Sequence, residues 1–372
     1  MAGQQCRAVL IALVTDLQEL PAFALGLIEG ASDGLSSFAK LLSGYYSDRL
    51  GRHKGIAFLG YIATGIFPAI VALAASWPVV LAGRAFGWLG RGIRGPPRDA
   101  ILSMSVEGKD LGKAFGFHRT GDTLGAIAGP ALAFLLVSSL GLREIFWLAV
   151  IPGLLAAVVF WLTVREKQAC PVKHSKGIVV SLKELPSRYK GFLAAVLLFG
   201  MADFSHTLLI FFAVTMLTPS LGFVQATALG VLFYGLRNVV YAAACFPFGV
   251  LGDRLGSKNV LVAGYALAML TFAGFIVAPV SAVIYAVLFG LAGLYIAAED
   301  TLEGTVAGQL VEERSRSLGY GALATMNGVG DFFSSFIVGA LWSVVGFPMG
   351  FAYAAVVAAA GTVALLRSAK HV

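Results

Sequence analysis

The sequence predicts an all-α integral membrane protein built from two related halves. Its 372 residues are 58% hydrophobic and only 13% charged, and its mean hydropathy is +0.84. Soluble domains are about half apolar and about a quarter charged. The apolar segments are long and unbroken, which indicates membrane helices, because membrane barrels have short segments of alternating polarity. One charged turn occurs twice along the chain, which indicates a duplicated unit.

Twelve apolar runs follow one another, six on each side of a basic connector. A helix needs about 20 apolar residues to cross a membrane core of about 30 Å, and only the first run is much shorter than that. The runs cover residues 6–14, 21–46, 56–75, 79–106, 112–140, 145–164, 191–217, 224–251, 259–278, 281–307, 317–345 and 347–366.

The loop charges predict how the chain is oriented. The turns after runs two, four, six, eight and ten, together with the C-terminal tail, carry nearly all the loop Lys and Arg residues, whereas the opposite turns carry only Arg143. Since basic loops stay in the cytoplasm, we expect twelve spans with both termini cytoplasmic. The same loops explain the net charge of +7. We therefore expect a lipid bilayer as the partner and no nucleic acid.

The repeated turn has the same spacing of Gly, Asp, Arg and Gly in both copies. Asp253 lies 205 positions after Asp48. A glycine inside each turn permits the bend, and a glycine before it permits close helix approach. The first copy contains Gly44, Asp48, Arg49, Gly51 and Arg52, and the second contains Gly249, Asp253, Arg254 and Gly256.

The offset of 205 also predicts the domain limits. Residue 372 corresponds to residue 167, so the halves end alike. We expect an N-terminal bundle over 1–166, a cytoplasmic connector over 167–190 and a C-terminal bundle over 191–372. Run seven begins at about residue 191, and its counterpart would begin before Met1. The first helix is therefore expected to be shortened, either in the protein itself or through a truncated start.

The first turn resembles the signature loop between helices two and three of the major facilitator superfamily of secondary transporters. The second turn resembles the weaker counterpart between helices eight and nine, so the resemblance extends over the whole chain. The family pattern usually has a basic residue where this chain has His53, and residues 90–100 resemble a bacterial subgroup of mostly unassigned substrate. The resemblance implies a monomer of two six-helix bundles with pseudo-two-fold symmetry, alternating access, and a gating role for both turns. The resemblance to the bacterial subgroup implies a bacterial inner membrane as the location.

Ionisable residues inside membrane runs are functional candidates by default. At the repeat offset, Arg94 corresponds to Glu299 and Arg98 to Glu303, so run four is basic where run ten is acidic. In the superfamily that the chain resembles, helices one, four, seven and ten line the cavity. The substrate and proton-coupling candidates are Arg84, Arg91, Arg94, Arg98, Asp122, Asp203, His206, Glu299, Asp300 and Glu303.

Proton coupling needs a group that changes charge, and among these residues the carboxyl groups of Asp203, Glu299, Asp300 and Glu303 have that chemistry. Local pairing is the competing interpretation for Arg98, Asp99 and Glu303, which lie toward cytoplasmic helix ends. Pairing with Arg119 or Lys40 is expected for Glu29, Asp33 and Asp122, and helix packing for His118 and His206.

The sequence therefore predicts a proton-coupled secondary transporter of a small solute. Export is favoured over uptake because residues 125–130 partly match a Gly-Pro motif of drug/proton antiporters. Two alternatives stay open: a transporter of metal ions or their chelates, based on the carboxylates and His residues but without tight ligand spacing, and a structural or sensor protein that has lost transport. No phosphate-loop, nucleophile or zinc motif is present, so we expect no enzyme, bound metal or cofactor.

Overall fold

The computed structural model describes residues 22–166 and 177–368, which form helices joined by short turns. The predicted shortened first helix falls on residues 6–14, outside this range. Two 3₁₀ turns, Gly108–Asp110 and Glu313–Ser315, precede α4 and α12. The α-helices are α1 Ala22–Leu50, α2 His53–Ala72, α3 Trp77–Met104, α4 Leu111–Leu140, α5 Leu142–Thr163, α6 Ile178–Glu184, α7 Ser187–Gly200, α8 His206–Leu221, α9 Phe223–Leu255, α10 Ser257–Val277, α11 Ala282–Leu310, α12 Arg316–Val344 and α13 Phe347–Arg367.

The all-α membrane prediction is confirmed. Six of the described helices are long and apolar enough to cross a membrane, namely α2, α5, α9, α10, α11 and α13. The exposed face of α5 carries Trp147, Ile151 and Leu155. Large apolar side chains along one face of such a helix are suited to contact with lipid.

The described chain forms two compact units that do not follow the midpoint of the sequence. Unit 1 comprises the chain up to Ser105, Gly125–Leu185 and Val311–Thr325. Unit 2 comprises Val106–Leu124, Pro186–Leu310 and Met326–Val372. Each unit therefore includes a short segment from the other half of the sequence. The bundle limits 1–166 and 191–372 stay a prediction.

The same helix packing occurs once in each unit. In unit 1, α3 packs on α1 and α2, and α2 packs on α5. In unit 2, α11 packs on α9 and α10, and α10 packs on α13. These are the helices that the offset of 205 pairs with one another. The duplication visible in the sequence is therefore also a duplication of helix packing.

Aromatic side chains fill much of the core of unit 2. Phe275 and Phe351 stack with ring centroids 4.9 Å apart, and the ring of Phe212 meets that of Phe351 edge-on at 4.9 Å. Trp342 lies 5.4 Å from Phe351. Offset and edge-to-face aromatic pairs of this kind bury large areas and favour defined geometries. They give α8, α10, α12 and α13 a rigid common core.

The seventh apolar run is not one continuous helix. Helix α7 ends at Gly200 and α8 begins at His206, so residues 201–205 interrupt the run. The Ser205 hydroxyl accepts a hydrogen bond from the Thr207 amide, and the Ser205 amide donates to the Ser335 hydroxyl at 2.9 Å. Ser and Asp side chains compete with helical backbone hydrogen bonds, which favours a break here. The break places Asp203 between two helix ends.

Candidate functional site

The first signature turn caps the N-terminus of α12. Helix α1 ends at Leu50, α2 begins at His53, and Gly51 between them has a φ of 60°. Asp48 is 2% exposed, and its two carboxylate oxygens accept hydrogen bonds from the amides of Ser317 at 3.2 Å and Leu318 at 2.7 Å. Amides in the first turn of a helix have no partner inside the helix. A carboxylate there satisfies them and interacts favourably with the helix dipole.

The second signature turn makes the same contact with α4. The carboxylate of Asp253 accepts hydrogen bonds from the amides of Gly112 at 2.7 Å and Lys113 at 2.9 Å. Gly112 and Lys113 precede Ser317 and Leu318 by 205 positions, the offset that separates the two aspartates. One cap lies within unit 1 and the other within unit 2. The repeat therefore preserves a specific tertiary contact as well as a motif.

Glycine is required where each cap brings two backbones together. A Cβ added to Gly44 would lie 2.4 Å from the carbonyl oxygen of Ser317, and one added to Gly249 would lie 2.1 Å from that of Gly112. Both obstacles are backbone atoms, so no rotamer change relieves them. Gly256 in the second turn has a φ of 92°. The basic members of the turns, Arg49, Arg52 and Arg254, are exposed.

The four arginines of α3 have different environments. Arg84 is 1% exposed, and its guanidinium lies 4.5 Å from the ring centroid of Trp88. The guanidinium of Arg94 lies 4.7 Å from the ring of Tyr61. Arg98 forms an ion pair with neighbouring Asp99 at 3.0 Å, and Arg91 is exposed. Arg98 and Asp99 thus pair with each other within α3, and pairing with loop charges stays a prediction. Arg84 is the deeply buried cation of this helix.

Tyrosines and carboxylates alternate in a polar cluster in unit 2. Tyr295 on α11 donates a hydrogen bond to Asp203 in the α7–α8 break at 2.9 Å. One turn further along α11 lies Glu299, and another turn brings Glu303. Glu303 is 2% exposed and accepts from the Tyr265 hydroxyl at 2.5 Å and the Asn327 amide at 2.6 Å. Four elements therefore bring these groups together: the α7–α8 break, α10, α11 and α12.

Glu299 stands at the centre of this cluster. It is 6% exposed and lies in electrostatic range of Asp203 and Glu303. Among the described residues, its Oε2 atom has no hydrogen-bond partner. Arg237, also 6% exposed, interacts electrostatically with Asp203. An isolated ionised carboxylate is costly to bury, so a neutral, proton-bearing Glu299 fits this environment best.

Asp300 lies on the other side of α11 and is more accessible. It accepts a hydrogen bond from the Tyr241 hydroxyl, and its carboxylate lies 3.9 Å from the Arg119 guanidinium. Arg119, an expected partner of Asp122, therefore contacts Asp300. Asp122 lies 3.6 Å from His118 on its own helix. The side chains of Glu29 and Asp33, also expected to pair, lie outside the part of the chain whose side chains the structure describes.

His206 packs at the start of α8, with its ring stacked on that of Tyr234 at 4.9 Å. This agrees with the packing interpretation of that residue. Within residues 22–166 and 177–368, no group of three or more His, Cys, Asp or Glu side chains is arranged so that it could hold a metal ion.

Several members of the cluster were not selected from the sequence. Tyr295 is detectable, because it precedes Glu299 by four positions and so shares its helix face. Asn327 is detectable as the repeat counterpart of Asp122. Tyr265 and Tyr241 lie on other helices, and a tyrosine in an apolar run carries no sign of its distant partner. Arg237 was visible as an intramembrane charge but had no assigned partner.

The amino-acid sequence is similar to those of known membrane transporters. The family model of the Major Facilitator Superfamily matches residues 6–236 and 207–371. An uncharacterized MFS-type transporter of Methanocaldococcus jannaschii is 30% identical over 348 residues, which cover 92% of this chain and 85% of that protein. The multidrug resistance protein MdtG of Escherichia coli is 26% identical over 285 residues, covering 74% of this chain and 68% of that protein.

Two solved structures share the fold at low sequence identity. The fucose:proton symporter FucP of Escherichia coli superposes with a TM-score of 0.80 at 14% identity, covering 99% of this chain and 95% of that chain. The human organic anion transporter MFSD10 superposes with a TM-score of 0.75 at 15% identity, covering 98% and 89%.

Proposed function

Because this chain belongs to the major facilitator superfamily, we propose that it is a proton-coupled secondary transporter of a small solute that works by alternating access. It is a multi-pass membrane protein, and the family evidence points to a transporter rather than an enzyme. The proposal includes a monomer in a bacterial inner membrane, with both termini in the cytoplasm, as the loop charges predict. Each signature turn serves as a gate through the helix that it caps.

The observation that carries the proposal is the buried carboxylate of Glu299. A coupling residue must hold a proton in one state and release it in another. Glu299 is buried beside Asp203 and Glu303, and one of its oxygens has no hydrogen-bond partner among the described residues. These features favour the neutral acid in this state. Access of water to the cluster in the opposite state would favour ionisation.

The neighbouring groups provide a route for the proton. Asp203 lies in the break between α7 and α8, where a discontinuous membrane helix typically marks a site for an ion or substrate. Tyr295 and Tyr265 donate to Asp203 and Glu303, so each carboxylate already has a hydroxyl neighbour. Arg237 interacts with Asp203 and balances part of the negative charge when the cluster ionises. Arg84, Arg91, Arg94 and Arg98 of α3 remain candidates for substrate contact.

Export is the proposed direction. It is supported by the similarity to a protein named as a multidrug resistance protein and by the partial Gly-Pro motif at residues 125–130. The substrate class under this proposal is a small amphiphilic solute. A panel of cationic and anionic fluorescent dyes therefore serves as the first set of probes.

The test uses the full chain in proteoliposomes with an imposed pH gradient. We expect gradient-driven dye movement by the natural protein and its loss in Glu299→Gln, because the amide cannot release a proton. The loss should be on the order of 100-fold or more, the factor that a positioned proton-transferring side chain typically contributes. Dye exchange without a gradient should continue in the variant, because binding and alternation do not need the proton to leave.

The matched control is Glu312→Gln, the same chemical change at an exposed glutamate paired with Arg314. It should transport as the natural protein does. Gradient-driven transport that survives in Glu299→Gln would reject Glu299 as the coupling residue. An absence of gradient dependence for every probe moved would reject proton coupling itself.

A further inference from the structure

His53 lies between two carboxylates at the first signature turn. Its Nε2 atom is 2.8 Å from an oxygen of Asp48, and its Nδ1 atom is 3.1 Å from an oxygen of Glu166. The side chain is nearly inaccessible, with the residue 1% exposed. The three residues come from the end of α1, the start of α2 and the segment that follows α5. All three belong to unit 1.

Both ring nitrogens therefore face acceptors. A neutral imidazole has one N–H donor and one bare nitrogen, whereas the protonated ring has two donors. Only the protonated ring satisfies both carboxylates at these distances. In the neutral ring, one lone pair would face a carboxylate oxygen in a buried place, where an unfavourable polar contact is costly.

The carboxylates stay in place for reasons of their own. The same oxygen of Glu166 also accepts the His53 backbone amide at 2.6 Å, which caps the start of α2. Asp48 holds the first amides of α12 through Ser317 and Leu318. Among the described residues, Asp48 and Glu166 are the charged groups that act on the ring. The neighbouring Lys54 ammonium lies over the Trp161 ring at 4.7 Å, and α12 presents its Ser317 and Leu318 amides to Asp48. The charge of His53 thus acts on Asp48 and Glu166.

We propose that His53 is a proton-binding site that controls the strength of the Asp48 cap on α12. Protonation provides Asp48 with a charged donor and holds its carboxylate against the helix end. The stabilisation is present at low pH and is lost as the pH rises through the titration of the imidazole. This switch acts at the gate and does not depend on which solute is carried or on Glu299.

The second cap provides an internal reference. The position that corresponds to His53 is Lys258, 205 residues later. A lysine ordinarily titrates at a much higher pH than an imidazole does. Near that cap, the hydrogen bond from Lys113 holds the pKa of Asp110 below its usual range, so Asp110 stays ionised at neutral pH. The Asp253 cap on α4 should therefore be insensitive to pH where the Asp48 cap responds.

The experiment measures hydrogen–deuterium exchange of the full chain in lipid nanodiscs between about pH 5 and pH 8, where an imidazole changes charge. After correction for the intrinsic pH dependence, protection of the Ser317 and Leu318 amides should fall by about tenfold on going to high pH. Protection of the Gly112 and Lys113 amides should stay constant. Equal pH dependence at both caps, or none at the α12 cap, would overturn the proposal.

Two variants separate charge from shape. His53→Lys keeps a positive charge over the whole range and should remove the pH dependence at α12 while retaining protection. His53→Gln has no charge at any pH and should give low, pH-independent protection.

Glu166→Gln should move the midpoint of the natural transition to lower pH, because one of the two charges that favour protonation is gone. A midpoint unchanged in Glu166→Gln would contradict the proposed cluster.

Discussion

At the scale of single residues, Asp48 shows how one carboxylate links a motif to a distant helix. Its two oxygens accept two amides of α12 and meet the His53 ring, and it is 2% exposed. A carboxylate with both oxygens engaged in this way has a defined position. This explains why the motif needs an aspartate at this position rather than any polar residue.

Asp48→Asn should leave the protein inserted in the membrane but weaken the cap and slow transport. The amide group replaces one acceptor with a donor, so at least one of the α12 amides loses its partner. Loss of a cap of this kind costs about 1–2 kcal/mol. The measurements are the thermal unfolding midpoint and the rate of dye transport. Glu107→Gln, at the exposed pair with Lys109, is the control, and transport by Asp48→Asn at the natural rate would reduce the turn to a topology signal.

Some residues of the site can be predicted from the sequence, and others cannot. Asp48 and Asp253 follow from a repeated spacing, and Asp203, Glu299 and Glu303 from charge in apolar runs. Their hydroxyl partners do not follow, because a hydrogen bond between helices depends on rotation and register that a single run does not encode. The contact of His53 with Glu166 spans 113 positions and is likewise visible only in three dimensions.

At the scale of helices, glycine determines how closely the caps can form. The approach of α1 to α12 and of α9 to α4 leaves no room for a side chain at Gly44 or Gly249. Close backbone contact through small residues is a common means of helix association in membranes. At residues 201–205, by contrast, the helix is interrupted, and Asp203 lies in the interruption.

Gly44→Ala should destabilise the protein, although alanine normally favours a helix. The new methyl group would meet the Ser317 carbonyl at 2.4 Å, and overpacking of this kind costs about 1–3 kcal/mol. Gly249→Ala should behave alike. Gly55→Ala is the matched control, since a Cβ there has no neighbour within 4 Å. Thermal unfolding in detergent is the measurement, and equal midpoints for Gly44→Ala and Gly55→Ala would contradict the close approach.

The predicted helices agree with the observed ones where an apolar run is bounded by charge or glycine. The break in run seven was not predicted, because Asp203 and Ser205 stand within an apolar run long enough to be one membrane helix. Hydrophobic periodicity reports which segments are buried, and it does not report whether the backbone inside them is continuous.

At the scale of the whole molecule, duplication organises both the fold and the site. Packing contacts, caps and glycines recur at one offset in the two units. The acidic cluster does not recur, because its counterparts in run four are arginines. The repeat therefore supplies the scaffold and the proposed gates, and divergence between the copies supplies the proposed proton site.

The proposed orientation is tested by labelling single cysteines in intact cells. In a background without the native cysteines, Lys109→Cys should react with a membrane-impermeant maleimide only after the cells are opened, because Lys109 lies in a predicted cytoplasmic loop. Ser220→Cys should react from outside. Both positions are exposed, so accessibility does not bias the comparison. The reverse pattern would invert the proposed topology.

The exchange of segments between the units has a consequence for biosynthesis. Unit 1 incorporates Val311–Thr325, so its packing is not finished until the ribosome has passed residue 325 of 372. Before that segment is made, the α12 amides whose hydrogen bonds Asp48 accepts have not been synthesised. A fragment that stops after the sixth run would thus emerge with Asp48 uncovered, and would depend on the second fragment, supplied in trans, to complete its own fold.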